Sequence, residues 1–151
     1  MDKRPVDTSM KILILCTGNS CRSQMAHGFL QAFDNRLQVY SAGTKPAKEV
    51  HPMAVEVLDG MGIDLTRHSP KSVNLYIGQE WDYVITVCDG ANENCPTFTG
   101  NVRNRLHIGF DDPSEATGTP AFIHSEFQRV RDEIRARFYA FYQNELIPQL
   151  S

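Results

Sequence analysis

The sequence predicts an α/β protein, a three-layer arrangement in which helices cover both faces of a four-stranded parallel sheet. Three observations support this. The runs "KILILC" (11–16) and "DYVITVC" (82–88) are almost continuously apolar and rich in β-branched residues, as strands buried on both faces must be. Helix-like segments separate the strand-like ones, so successive strands need crossover connections and run parallel. Cys16 closes the first strand, Cys88 the third, and Asp111 and Asp112 follow the fourth. Ligands of open parallel sheets bind beyond the carboxyl ends of the strands, so these residues converge on one edge.

Residues 1–9 read as a charged, polar extension with no apolar core of a signal peptide, ahead of one domain over 10–151. "KILILC" is the first strand. After the loop "CTGNSCRSQ", Met25, Ala26, Phe29, Leu30 and Phe33 recur at helical spacing, and Ser23 is the expected cap. "LQVYSAG" is a second strand ending at a glycine. "HPMAVEVLDGMG" is a short helix with Pro52 in its first turn and Gly60 or Gly62 at its end. "RHSPKSVNLYIGQEW" reads as a loop with a short helix, "DYVITVC" as the third strand and "RLHIGF" as a weaker fourth. Ile123, Phe127, Val130, Ile134, Phe138 and Phe141 mark the buried face of a long last helix. Arg129, Arg131, Asp132, Glu133 and Arg135 lie on its solvated face.

Bulk properties exclude several function classes. A net charge of −3 leaves no basic footprint for nucleic acid. No apolar stretch reaches the roughly 20 residues of a membrane span, and a cytoplasmic location is expected. The cysteines are Cys16, Cys21, Cys88 and Cys95, and no pair has CxxC spacing. In a reducing cytoplasm that pattern favours thiol chemistry or simple packing over structural disulfides, and no metal is expected.

The loop after the first strand has the makings of an anion cradle. A strand-to-helix loop aims backbone amides and a helix dipole at whatever sits above it. Gly18 permits close approach, Asn19 tolerates unusual dihedrals, and Arg22 offers a planar fork to a tetrahedral oxyanion. Thr17, Gly18, Asn19, Ser20, Cys21, Arg22 and Ser23 are the expected binding residues. Cys16 would be a thiolate stabilised by that positive field, with Ser23 donating to its sulfur. Attack on an oxyanion also needs an acid for the departing oxygen, and "GFDDPS" supplies two carboxylates. The plain alternative for that segment is a polar turn.

"CTGNSCRSQMA", "YSAG", "GFDDP" and "SEFQRVRDEI" together resemble the low-molecular-weight protein tyrosine phosphatase superfamily, over nearly the whole chain beyond the extension. "VCDGANENCP" is similar to the thioredoxin-coupled arsenate reductase branch. The resemblance implies that Cys16 forms a covalent arsenate adduct, that Arg22 and the loop amides hold the oxyanion, that Ser23 lowers the thiol pKa, and that Asp112 is the general acid. An exchange of roles with Asp111 stays open. It further implies that Cys88 attacks the adduct, leaving a Cys16–Cys88 disulfide. Cys95 then attacks Cys88, and thioredoxin reduces the Cys88–Cys95 pair, with no bound cofactor. The polar, Gly-containing segment "DGANEN" is expected to be mobile and to rearrange so that these thiols come together. Arsenic detoxification follows, with residual phosphatase activity; the alternative is a phosphatase acting on phosphotyrosine or small phosphate esters. Cys21 has no part in the relay and is expected to pack.

Some members of the superfamily hold a potassium ion beside the loop through an asparagine, a glutamate, a serine and an aspartate. Asn19 and Ser41 match two of these ligands, but His27 stands at the glutamate position and Lys71 aligns with the aspartate. The loss of both anions argues against a cation. Two readings of Lys71 remain: an ammonium in the ion's place, or an ordinary exposed lysine.

Overall fold

The computed structural model describes residues 9–150; apart from Ser9, the extension lies outside them. Four parallel strands form one sheet in the order β2-β1-β3-β4. β1 (Met10–Cys16) lies between β2 (Leu37–Gly43) and β3 (Trp81–Thr86). Ile12, Leu13, Ile14 and Leu15 are fully buried, which is why that stretch carries no polar residue. Tyr83 meets Phe141 of the last helix. Val84 and Thr86, on the opposite face of the same strand, border a cavity with Cys95.

The fourth strand, β4, spans Val102–His107, three residues earlier than the sequence suggested. It is an edge strand with almost every side chain exposed, so it lacks an apolar signature. Arg103 and Arg105 add the charge that guards an open edge against further pairing.

Helix α1 (Arg22–Phe33) buries Met25, Ala26, Phe29 and Leu30. Ser23 is not its cap: Cys21 takes that position, its carbonyl accepting from Met25 N, and Ser23 lies inside the first turn. At Gly28 a Cβ would come within 2.9–3.1 Å of Leu58, Ile63 and Leu65, so the missing side chain sets how closely α1 approaches its neighbours. α2 (Pro52–Asp59) is capped by the His51 ring, which accepts from Met53 N, and ends at Gly60. A 3-10 turn covers Val73–Leu75.

Residues 89–94 form a short helix, α3 (Asp89–Asn94). Cys88 stands at its N-cap and Cys95 at its C-cap. Asp89 begins it, an acidic group at the positive end of the helix, and Asn94 Nδ2 donates back to the Gly90 carbonyl.

α4 (Pro120–Phe141) is 22 residues long, starts at a Thr119 cap, and buries Phe127, Val130, Ile134, Phe138 and Phe141. Its polar face is not uniformly solvated. Arg131 is largely buried and donates to the Val57 carbonyl, bracing α4 against α2. Beyond α4 the chain is tied back by Asp34, which accepts from the Arg36 guanidinium and the Tyr142 hydroxyl. Among the described residues no helix is long and apolar enough to cross a membrane.

Candidate active site

The loop from Thr17 to Cys21 is held from outside by its own carbonyls. Those of Cys16, Thr17, Gly18 and Ser20 accept from the amides of Thr44, Lys45, Ala47 and His51. Gly43 makes this approach possible, because a Cβ there would lie 2.5 Å from the Thr17 carbonyl oxygen. Among the described residues, the amides of Gly18, Asn19, Ser20 and Cys21 donate to no protein acceptor, as an anion cradle requires.

Asn19 gives the loop its shape. It is fully buried and adopts φ 51°, in the left-handed region that asparagine tolerates. Its Oδ1 accepts from Lys71 N at 2.9 Å, its Nδ2 donates to Ser23 Oγ at 2.8 Å, and its carbonyl accepts from Gln24 Nε2 at 3.1 Å.

Arg22, the first residue of α1, closes the cradle. Its Nη1 donates to the Phe110 carbonyl at 3.0 Å and its Nη2 lies 3.4 Å from Asp112 Oδ2. Its Nε is buried and has no hydrogen-bond partner. An unsatisfied buried donor is costly unless a ligand completes it, and an oxyanion is the complementary ligand. The other Asp112 oxygen accepts from the Ser114 amide and hydroxyl, so this carboxylate is fixed at the mouth of the loop. Asp111 turns away to Arg129 on α4 and is mostly exposed. Geometry therefore separates two carboxylates that the sequence left interchangeable.

Cys88 stands against the first residue of the loop, where its thiol couples electrostatically to that of Cys16. Thr17 Oγ1 sits 3.4 Å from Cys88 Sγ. α3 can approach this closely because residue 90 is glycine: a Cβ there would lie 2.6 Å from Thr17 Oγ1. The two thiols are shifted in opposite directions. The Cys88 thiol is lowered to about 5, chiefly by the hydrogen bond from Cys16, with Thr17, the Ala91 backbone and Arg22 adding to it against burial. Cys16 is raised, first by that same bond and then by burial. Two interacting buried thiols titrate as a pair, and the donors around Cys88 favour its thiolate. Ser23 Oγ accepts from Asn19 Nδ2, which keeps its hydroxyl proton available to donate. Cys21 is buried and pushed up to about 12 by desolvation, a neutral packing thiol whose backbone alone faces the cradle.

Cys95 is not gathered into this cluster. It is half-buried, donates to the Pro96 carbonyl at 3.5 Å, and lines a cavity of about 530 Å³ with Thr86, Arg105 and His107. Burial raises its thiol.

Sequence reasoning missed His68 and Gln24. His68 Nδ1 lies 2.8 Å from Gln24 Oε1, and its ring centroid is 4.6 Å from that of His27. His27 Nδ1 in turn lies 2.9 Å from Ser41 Oγ. Burial, then the neighbouring His68, pushes His27 down to about 3, so both His27 and Ser41 are neutral partners. Lys71 is exposed and serves the loop through its backbone amide, while the His68 ring takes the place beside His27. The two histidines are 41 positions apart, which no local periodicity can register.

Comparison with known proteins agrees with this geometry. The chain is 43% identical to an arsenate reductase of Shouchella clausii over 131 residues, covering 86% of this chain and 93% of that one. A solved arsenate reductase in the oxidized state superposes with a TM-score of 0.73 at 26% identity, over 94% of this chain and 99% of its own. A thioredoxin-dependent arsenate reductase of Corynebacterium glutamicum superposes with a TM-score of 0.64 at 25% identity, over 89% of this chain and 60% of its own. The family model for low molecular weight phosphotyrosine protein phosphatase matches residues 11–147, and the chain belongs to that family.

Proposed function

We propose that the protein reduces arsenate to arsenite through Cys16, Cys88 and Cys95, with thioredoxin restoring the thiols. The observation that carries this reading is the 3.4 Å contact of Cys88 Sγ with Thr17 Oγ1, which sets a second thiol against the residue that follows Cys16 in the cradle. A phosphatase needs one thiol there; reduction of As(V) needs two, because a disulfide supplies the electron pair.

The resting protonation state suits the sequence of steps. Arsenate takes the loop amides and Arg22 Nε as partners. Cys16 Sγ bonds to arsenic, one oxygen departs with Asp112 as acid, and the Cys16 proton leaves with the resulting water. Cys88 is then already a thiolate. It attacks Cys16 Sγ, the S–As bond breaks, and its electron pair stays on arsenic as arsenite. A Cys16–Cys88 disulfide remains.

Cys95 next attacks Cys88, and Cys16 departs. This requires rearrangement: Cys88 and Cys95 are seven positions apart across the six-residue α3, a rise of about 10 Å between Cα atoms, whereas a disulfide needs roughly 4.4–6.8 Å. The C-terminal half of α3 is exposed at Glu93 and Asn94, while Ala91 is buried, so opening from the Cys95 end disturbs less packing. The thioredoxin dependence of the Corynebacterium relative supports the choice of reductant. Four free cysteines suit a reducing, cytoplasmic setting.

The complete cradle with Asp112 also favours a second, weaker activity, hydrolysis of phosphate esters. An assay following NADPH consumption with thioredoxin, thioredoxin reductase and arsenate tests the main reading. Cys88→Ser and Cys95→Ser are expected to abolish turnover while ester hydrolysis persists. Normal turnover by Cys95→Ser would refute the three-thiol relay.

A further inference from the structure

Cys95 poses a problem that the cradle residues do not solve. It must attack as a thiolate, yet burial raises its thiol and its sulfur faces the Pro96 carbonyl, an acceptor that favours the protonated form. The resident positive charge nearby is Arg105, which helps hold a thiolate but cannot take a proton. A proton acceptor is needed on this side of the sheet, away from Asp112.

The ends of β3 and β4 supply one. His107 Nε2 lies 3.2 Å from Asp89 Oδ1, and His107 Nδ1 lies 2.7 Å from Thr86 Oγ1. A carboxylate only accepts, so Asp89 fixes the proton on Nε2 and leaves Nδ1 as the acceptor toward the Thr86 hydroxyl. Thr86 and His107 both line the cavity that Cys95 lines. The charged or titratable groups facing this imidazole are Asp89 from α3, together with Arg105 and Cys95 around the cavity. The arrangement also tolerates a protonated imidazole. Both ring nitrogens then donate, to Asp89 and to Thr86 Oγ1, and the Thr86 hydroxyl turns to the Leu106 carbonyl 3.5 Å away.

We propose that Thr86 and His107, oriented by Asp89, form a relay that accepts the Cys95 proton during the second thiol exchange. The inference rests on the three-thiol reading above. Cys95 Sγ bonds to Cys88 Sγ, the Cys16–Cys88 bond breaks, and Cys16 leaves with the electron pair. The Cys95 proton passes to Thr86 Oγ1 as the Thr86 proton passes to His107 Nδ1. No oxidant or reductant enters the step. The acceptors stand on the sheet and stay in place while the helix carrying Cys95 rearranges, so the base need not move with its nucleophile. Asp89 is a positioning residue, as the third member of a nucleophile–base pair is elsewhere.

The test follows the protein after one equivalent of arsenate without thioredoxin, by quenching with an alkylating agent and mapping disulfides by mass. Wild-type protein is expected to pass through Cys16–Cys88 to Cys88–Cys95. His107→Ala and His107→Gln are both expected to slow the second conversion about tenfold or more near neutral pH and to accumulate Cys16–Cys88. Glutamine can still bridge Thr86 and Asp89 but cannot take a proton, so it separates a base from a spacer. Added imidazole and raised pH are expected to restore the rate. Thr86→Val supplies a second, independent variant, and thermal melting verifies folding of all three. Wild-type rates in both His107 variants, or recovery in His107→Gln alone, would overturn the relay. Absence of Cys88–Cys95 in the wild type would instead overturn the three-thiol reading itself.

Discussion

Thr17 Oγ1 lies 3.4 Å from Cys88 Sγ, joining the first residue of the anion loop to the cap of the α3 helix. In the proposed reaction this contact couples the two halves of the chemistry, since the residue that begins the cradle also steadies the sulfur proposed to resolve the adduct.

The coupling predicts a thiolate on Cys88 before substrate arrives. Its folded value, about 5, lies below the ordinary thiol value of 9.0, so the charge is present above about pH 5 and disappears as pH falls through it. Absorbance of thiolate in a Cys21→Ala, Cys95→Ser background is expected to titrate there. Cys16→Ala and Thr17→Val should each move that midpoint upward, Cys16→Ala more, because its hydrogen bond is the larger cause.

Gly90→Ala places a Cβ 2.6 Å from Thr17 Oγ1 and must push α3 away from the loop. Arsenate turnover is expected to fall about tenfold or more, since a displacement near 1 Å is costly for attack geometry. Hydrolysis of p-nitrophenyl phosphate, which needs no Cys88, should fall much less. Equal losses in both assays would contradict the assigned division of labour.

Asp112 and Asp111 should behave differently on identical substitution. Asp112→Asn removes the carboxylate held beside Arg22 and is expected to lower turnover about 10²–10⁴-fold, the usual range for a general acid. Asp111→Asn disturbs an exposed pair with Arg129 and should cost roughly 1 kcal/mol of stability at most, with activity close to wild type. Steady-state kinetics on the two variants decide this.

His27 predicts a pH-dependent stability. Its folded value is depressed from 6.5 to about 3, so the unfolded chain takes up a proton that the folded one refuses. Stability is therefore lost as pH falls below about 6.5, by at most about 1.4 kcal/mol per pH unit from this group. Urea midpoints between pH 7 and 4, as working conditions of roughly that span, are expected to show a shallower decline in His27→Gln than in wild type.

The legible parts of this protein were those written in consecutive residues. β1 and β3 announce themselves because a centrally placed parallel strand is apolar on both faces, and α4 because its buried stripe repeats every three or four positions. β4 was placed too late because an edge strand meets water and carries arginines where the pattern expects apolar residues. α3 carries no helical signal because Asp, Gly and two Asn among its six residues have little helical preference of their own. It forms where Ala91 is buried and Gly90 meets Thr17.

The sequence by itself determined the parallel fold, the anion loop, and the residues Cys16, Arg22, Asp112, Cys88 and Cys95 as the set to examine. Their chemistry is carried by local strings, and strand ends place those strings on one edge. Only the tertiary structure decided which groups surround each thiol. A thiol's ionisation depends on which donors and charges surround it, and the partners of Cys88 come from β1, the loop, α1 and α3 at once. For the same reason only the folded chain separates Asp112 from Asp111, seats His68 against His27, and aligns Asp89, His107 and Thr86 beside the Cys95 cavity. Each is a contact between elements distant in sequence, and spacing along the chain holds no record of it.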